Sequence, residues 1–200
     1  MTVKVMPMGI YQTNCYIVDI ANQQVVIDPG VDATDWVLNN TTNPIAILNT
    51  HGHFDHIWSN KELKAKLNIP IYIPKNDAFM LQDDPFGHSV PKVEADVLVD
   101  GDETFDIDGF KFEYFLFAGH TPGCSMIKIE DTIFSGDFIF RGSIGRVDFP
   151  YSNPSDMKKS INKVLSWDTN KKDFTVYPGH GDKTTLKNEI NSLKNWLNYI

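Results

Sequence analysis

Two hundred residues, 42% hydrophobic and 22% charged, suit one large globular domain spanning residues 1–200. The formal charge of −8, from 18 basic against 26 acidic residues, argues against a nucleic-acid partner, because phosphate binding needs a basic face. No apolar run approaches the roughly 18 residues of a membrane span, and Met1-Thr2-Val3-Lys4-Val5-Met6-Pro7 has no long apolar region or small-residue cleavage site; no membrane partner and a cytoplasmic location are expected. Only Cys15 and Cys124 carry thiols. They could pair, but their spacing suggests no disulfide scaffold, and the plainer expectation is two buried, reduced thiols.

In chain order, Val3–Met8, Cys15–Asp19 and Val25–Asp28 read as a meander of strands separated by turn residues. Asp32 to Asn40 is a short helix candidate with Trp36 and Val37 on its apolar side. Ile45–Leu48 is short, wholly apolar and preceded by Pro44, which favours a buried strand. It leads into Thr50-His51-Gly52-His53-Phe54-Asp55-His56. A helix over Ile57 to Leu67, a strand over Ile69–Ile73 and a helix from Lys75 to Leu81 are predicted next. Residues 83–95, with two prolines and a glycine, are predicted to be a loop of the kind that covers a site. Further strands are expected at Val97–Val99, Thr104–Ile107, Phe110–Phe117, Ser125–Ile129 and Thr132–Phe134. A helix follows from Pro154 to Trp167, capped by Asn153 or Ser155, then a strand at Phe174–Tyr177 and a closing helix at Asn188–Tyr199. The repeated order of strands then helices favours a layered α/β sandwich with helices outside two central sheets.

Histidine placement carries the chemistry. Three of six histidines, His51, His53 and His56, fall within six residues at the end of a predicted strand. His120 lies in Ala118-Gly119-His120-Thr121-Pro122-Gly123, His180 in Tyr177-Pro178-Gly179-His180-Gly181-Asp182 and Asp137 in Phe134-Ser135-Gly136-Asp137. Each candidate ligand follows an apolar strand on a glycine-bearing loop, so the strand fixes its position and glycine allows close approach to an ion. In extended backbone His51 and His53 point the same way and can share one ion, while Asp55 and His56 turn toward a second. Imidazole and carboxylate together suit zinc, with iron or manganese also accommodated, and no thiolate is needed. Asp137 is the candidate bridge between two divalent ions, which would lower the pKa of a shared hydroxide.

With these residues in their order and intervals, the chain resembles the metallo-β-lactamase superfamily. The resemblance implies a four-layer αββα sandwich with two mixed β-sheets flanked by helices. It also implies one metal on His51, His53 and His120, a second on Asp55, His56 and His180, and Asp137 between them. Gln12-Thr13-Asn14-Cys15-Tyr16, Ile27-Asp28-Pro29-Gly30, Gly119-His120-Thr121-Pro122-Gly123, Ser135-Gly136-Asp137 and the run from Gly142 to Pro150 resemble the glyoxalase II-like branch. That branch implies thioester hydrolysis of the hydroxyacylglutathione hydrolase type. The nucleophile would be a metal-bridging hydroxide, with Asp55 orienting its proton. β-Lactamases of the superfamily usually have cysteine where Asp137 stands, which argues against antibiotic hydrolysis, and its RNA-processing members carry a large inserted domain that 200 residues do not accommodate. Glyoxalase II also has a C-terminal helical extension that contacts glutathione, whereas here only 20 residues follow His180. Arg146 stands where the family places a glutathione-contacting lysine, and Asp148 replaces a nearby tyrosine. A small-molecule thioester is therefore the expected substrate, with the acyl and thiol parts open. A mono-iron persulfide dioxygenase, using His51, His120 and Asp137, is the alternative implied by a second similar branch.

Other residues have competing readings. Arg146 is either a substrate anchor or the partner of Asp148, and Arg141 competes for the first role. Asp28 either orients a ligand histidine or holds its turn with Pro29. His88 reads as a surface histidine. Phe115, Phe117, Phe138 and Phe140 read as core, and the lysines of 158–172 as a solvated helix face. Oligomeric state is not legible.

Overall fold

The computed structural model describes residues 1–167, 169 and 172–200. Alternation along the strands sorts the apolar residues into three layers. In β2 (Thr13–Ile20), β3 (Gln23–Ile27) and β4 (Pro44–Leu48), Tyr16, Val18, Val25, Ile27, Ala46 and Leu48 face one way. They meet Phe110, Phe112 and Tyr114 of β8 (Phe110–Leu116), Ile127 and Ile129 of β9 (Ser125–Ile129) and Phe134 of β10 (Thr132–Gly136) in a central core. The intervening Cys15, Ile17, Val26 and Ile47 face the other way. They are covered by Ala33 and Val37 of α1 (Ala33–Asn40) and Leu63 of α3 (Asn60–Leu67). On the outer face of the second sheet, Met126, Ile133 and Val176 pack under α5 (Pro154–Leu165) and α6 (Leu186–Trp196). Period-two strands with both faces apolar thus dictate the αββα sandwich predicted from sequence.

The first sheet runs β1 (Thr2–Met8), β2, β3, β4, β5 (Ile71–Pro74), β6 (Val97–Val99). The second runs β14 (Thr184–Thr185), β13 (Thr175–Pro178), β10, β9, β8, β7 (Glu103–Ile107). Both are mixed: β3, β4, β5 and β6 pair in parallel in one, and β10 with β13 in the other. The loops bearing His51–His56, His120, Asp137 and His180 leave the carboxyl ends of β4, β8, β10 and β13. The small hairpin β11 (Ile139–Phe140) and β12 (Ser143–Ile144), like β14, has only two residues per strand, too short for a hydrophobic pattern to register.

Three expectations need correction. The helix predicted over Ile57 to Leu67 divides into α2 (Phe54–Ile57) and α3, because Ser59 is drawn toward the first meander. Its N–H donates to the Pro29 carbonyl at 3.0 Å and its hydroxyl to Gly30 at 2.6 Å, replacing continuation of the helical ladder. The helix predicted from Lys75 to Leu81 is a 3₁₀ turn, Lys75–Asp77, followed by the one-turn α4 (Met80–Asp83). Here the Asp77 carboxylate bonds across two loops instead of facing solvent. In α5, Lys158 and Lys159 are exposed as expected, but Lys163 reaches back to Asp102 at 2.8 Å and the Leu116 carbonyl at 2.9 Å. Lys172 follows the helix, and Lys171 lies outside the described residues. Met157, Ser160, Ile161 and Val164 form the buried stripe of α5, and Asn153 caps it by accepting from the N–H groups of Ser155 (2.9 Å) and Asp156 (3.2 Å). Cys15 and Cys124 are buried and free, one beneath α1 and the other beneath α5, so the disulfide alternative does not arise.

Candidate metal centre

The strand ends bring His51, His53, Asp55, His56, His120, Asp137 and His180 to one cleft. His51, His53 and His120 have ligating atoms within 4.8 Å of one another, as do Asp55, His56 and His180. Asp137 lies between: Oδ1 is 3.4 Å from His56 Nε2, and Oδ2 is 3.3 Å from His120 Nε2 and 3.5 Å from His180 Nε2. Asp28, His51 and His56 satisfy the same distance criterion. Asp28 is nonetheless consumed by donors: the Thr50 N–H at 2.8 Å, the Thr50 hydroxyl at 2.6 Å and His56 Nδ1 at 3.0 Å. It orients His56 while holding the turn at a left-handed φ of 49°, so both readings of Asp28 hold.

The hydrogen bonds select the tautomers. His120 Nδ1–H donates to the Arg146 carbonyl at 2.8 Å, His180 Nδ1–H to the Tyr11 carbonyl at 3.0 Å, and His51 Nδ1–H to Thr50 Oγ1 at 3.0 Å. With His56 donating to Asp28, the four Nε2 atoms turn their lone pairs into the cleft. His53 offers Nδ1, 2.9 Å from His120 Nε2, so two acceptor nitrogens face each other. Among the described residues, His51 Nε2, His56 Nε2 and Asp137 Oδ1 are buried with no hydrogen-bond partner. Such orphaned atoms are costly unless a cation accepts their lone pairs, so this donor set fits divalent ions.

The electrostatics say the same. Burial, then the neighbouring His56, hold His51 well below the ordinary histidine range; burial and His120 bring His53 to about 3. Burial opposes charge on His56 and His180, yet Asp55 and Asp137 raise both, His180 to about 9. Burial likewise opposes ionisation of Asp55 and Asp137, but the facing histidines win, and Asp55 falls to about 2. The carboxylates therefore attract cations, and protons compete for His56 and His180.

Backbone geometry makes room for this. After a register shift in β10, Gly136 has φ 49° and lies where a Cβ would sit 2.3 Å from Thr50 Oγ1. A Cβ on Gly179 would come within 2.1 Å of Asp137 Oδ1. The start of β2, Thr13 to Tyr16, ties the α2 turn and the β13 end together at the same place. Thr13 donates to Asp55 Oδ2 at 2.6 Å, the Asn14 N–H donates to the Gly179 carbonyl at 2.7 Å, and Tyr16 donates to the Pro178 carbonyl at 2.6 Å.

Sequence reasoning missed Asp77. Fully buried, it accepts from the Gly52 N–H at 2.9 Å, the Gly123 N–H at 2.6 Å and the Thr121 hydroxyl at 2.6 Å, tying the His51–His53 loop to the His120 loop. Burial raises its pKa to about 6 against the pull of those donors. A lone aspartate in a polar turn carries no sequence signal for this. Two aromatic-ring readings also change. Phe117 and Phe138 are core and Phe115 packs against it, but Phe140 lines the cleft with its ring 6.0 Å from His180. His88 is exposed as expected, yet its ring stacks on Phe54 at 3.9 Å and borders the cleft. Arg146 also lines the cleft, but it is held by Asp148 through Nε at 2.8 Å and an NH2 bond at 2.7 Å. Arg141 instead faces Asp182 at 3.3 Å.

A two-sheet sandwich with this His/Asp constellation at its strand ends is the arrangement of a metallo-hydrolase. The chain belongs to the metallo-beta-lactamase superfamily, whose family model matches residues 8–180. It is 32% identical to the hydroxyacylglutathione hydrolase GloC of Haemophilus influenzae over 210 residues, covering 96% of each chain. Among solved structures it is similar to the BLEG-1 B3 metallo-beta-lactamase, with a TM-score of 0.85 and 31% identity over 95% of this chain and 97% of that one. It is also similar to TTHA1623 in a di-iron-bound form, with a TM-score of 0.80 and 30% identity over 94% and 98%.

Proposed function

We propose that the protein hydrolyses thioesters with two divalent metal ions, most simply zinc, held by His51, His53 and His120 and by Asp55, His56 and His180, with Asp137 between. The observation that carries this is the shared position of Asp137, within 3.5 Å of histidines from both clusters. Bound ions would supply a hydroxide at neutral pH and a Lewis acid for the carbonyl oxygen. The chain's own residues supply the rest. Asp55, kept anionic by His56 and His180 and fixed by Thr13, orients the proton of the attacking water. The cleft, about 330 Å³ and walled by Tyr11, Phe54, Phe86, Phe140 and Phe149, is sized and lined to seat a small acyl compound. Similarity to GloC supports thioester chemistry, and similarity to the di-iron form of TTHA1623 supports iron as the alternative metal.

Metal content on native protein, followed by a thioester panel led by S-D-lactoylglutathione, tests the proposal. Two ions per chain with thioester turnover are expected, and Asp137→Ala should lose metal and activity together. Full occupancy and unchanged turnover in that variant would defeat the assignment. One iron per chain with oxygen uptake on glutathione persulfide would favour the dioxygenase reading instead, and a β-lactam control covers the activity that BLEG-1's name carries.

A further inference from the structure

Glutathione is a charged handle, with two carboxylates and one ammonium, and a cleft that selects it must offer cations. Here the mouth is aromatic. Tyr11 meets Phe54 edge-on at 5.1 Å, His88 stacks on Phe54 at 3.9 Å, and Phe86 stands 5.3 Å from His53. Opposite, Phe149 lies 5.9 Å from His53 and 6.1 Å from His120. Among the described residues, Arg146 is the one arginine or lysine lining this cleft. Its guanidinium is committed twice, bidentately to Asp148 and over the Phe149 ring at 4.2 Å. A substrate carboxylate approaching Arg146 must displace Asp148 or share the cation with it. The formal charge, −8 for the chain and −4 with two divalent ions, adds long-range repulsion of anions.

We infer that the cleft selects thioesters whose thiol part is uncharged, and that the Arg146–Asp148 pair is the specificity-determining element that disfavours glutathione conjugates. This rests on the thioesterase reading for its chemistry, but selection by the cleft can be measured apart from turnover. Phe54, Phe149 and Tyr11 would pack the apolar portion of such a thioester. Asp148 neutralises the cation that an anionic handle would need.

Two hydrolysis-inert thioethers separate the ideas: S-benzylglutathione and S-benzyl-N-acetylcysteamine share the benzyl thioether and differ in the charged arms. Binding of each to the metal-loaded protein is measured by calorimetry. The neutral thioether should bind at least about tenfold more tightly, a difference of about 1.4 kcal/mol. Asp148→Asn should narrow that gap by strengthening the glutathione compound, while Phe149→Ala, which removes a wall for the benzyl group they share, should weaken both. Equal or tighter binding of S-benzylglutathione by the unmodified protein overturns the inference. So does an unchanged gap in Asp148→Asn. Turnover is then compared between S-D-lactoylglutathione and the lactoyl thioester of N-acetylcysteamine. Turnover of neither, with the binding preference intact, would sink thioester hydrolysis and leave the selectivity of the cleft standing. Turnover of both with glutathione preferred in binding would do the reverse.

Discussion

Each distal imidazole nitrogen at the site is aimed by what its partner nitrogen holds. His56 shows the logic best, because its Nδ1–H ends on Asp28, which is itself pinned by two bonds from Thr50. Asp28→Ala leaves His56 free to rotate and strips a negative charge from behind it. The affinity of the Asp55, His56 and His180 cluster for metal should fall 10- to 100-fold, measured by chelator competition; undiminished affinity for both ions would contradict the orienting role. Much of this site was legible because metal ligands are chemically rare and stood after recognisable strands. Asp77 and the aromatic wall were not. Asp77 acts through three donors from loops 25 to 46 residues away, and Tyr11, Phe54 and Phe86 become neighbours only through tertiary folding.

Strand ends set the precision with which those side chains meet. Gly136 closes β10 with positive φ against the Thr50 side chain, immediately before Asp137. Gly136→Ala imposes both a left-handed alanine and a 2.3 Å approach to Thr50 Oγ1, so Asp137 and Thr50 must part. Destabilisation of about 1–3 kcal/mol is expected from denaturant unfolding, together with loss of metal retention. A variant as stable and as metal-rich as the parent would show that the loop has slack. The strands of three or more residues were readable from apolar runs, and the α5 cap was narrowed to Asn153 or Ser155 beside Pro154. The division between α2 and α3 was not, because Ser59 leaves the helical ladder for carbonyls of the Asp28-Pro29-Gly30 turn, a contact without local signature.

The whole molecule's charge and stability hinge on what occupies the cleft. Two divalent ions would move the formal charge from −8 to −4, and they must displace the protons that His56 and His180 otherwise attract. The sign for the stripped protein follows from His180, raised from 6.5 to about 9. Its contribution to stability is fully present below about 6.5 and fades as pH rises through 9. Metal affinity runs oppositely, growing over that interval as the competing proton leaves. In chelator, the melting temperature should therefore decline between pH 6.5 and 9, while the increment on adding metal widens. At free metal 100-fold above Kd the increment is about 2.7 kcal/mol per site. A pH-independent increment would refute proton competition.

Each candidate metal cluster takes ligands from both sheets: His51 and His53 with His120, and Asp55 and His56 with His180. During synthesis the first trio is incomplete until residue 120 has emerged and the second until residue 180 has. Ion capture at these clusters would thus come late in biogenesis and reward only chains whose two halves have docked correctly. Misdocked chains would stay metal-poor, so metal content in a purified sample doubles as a census of correctly assembled molecules.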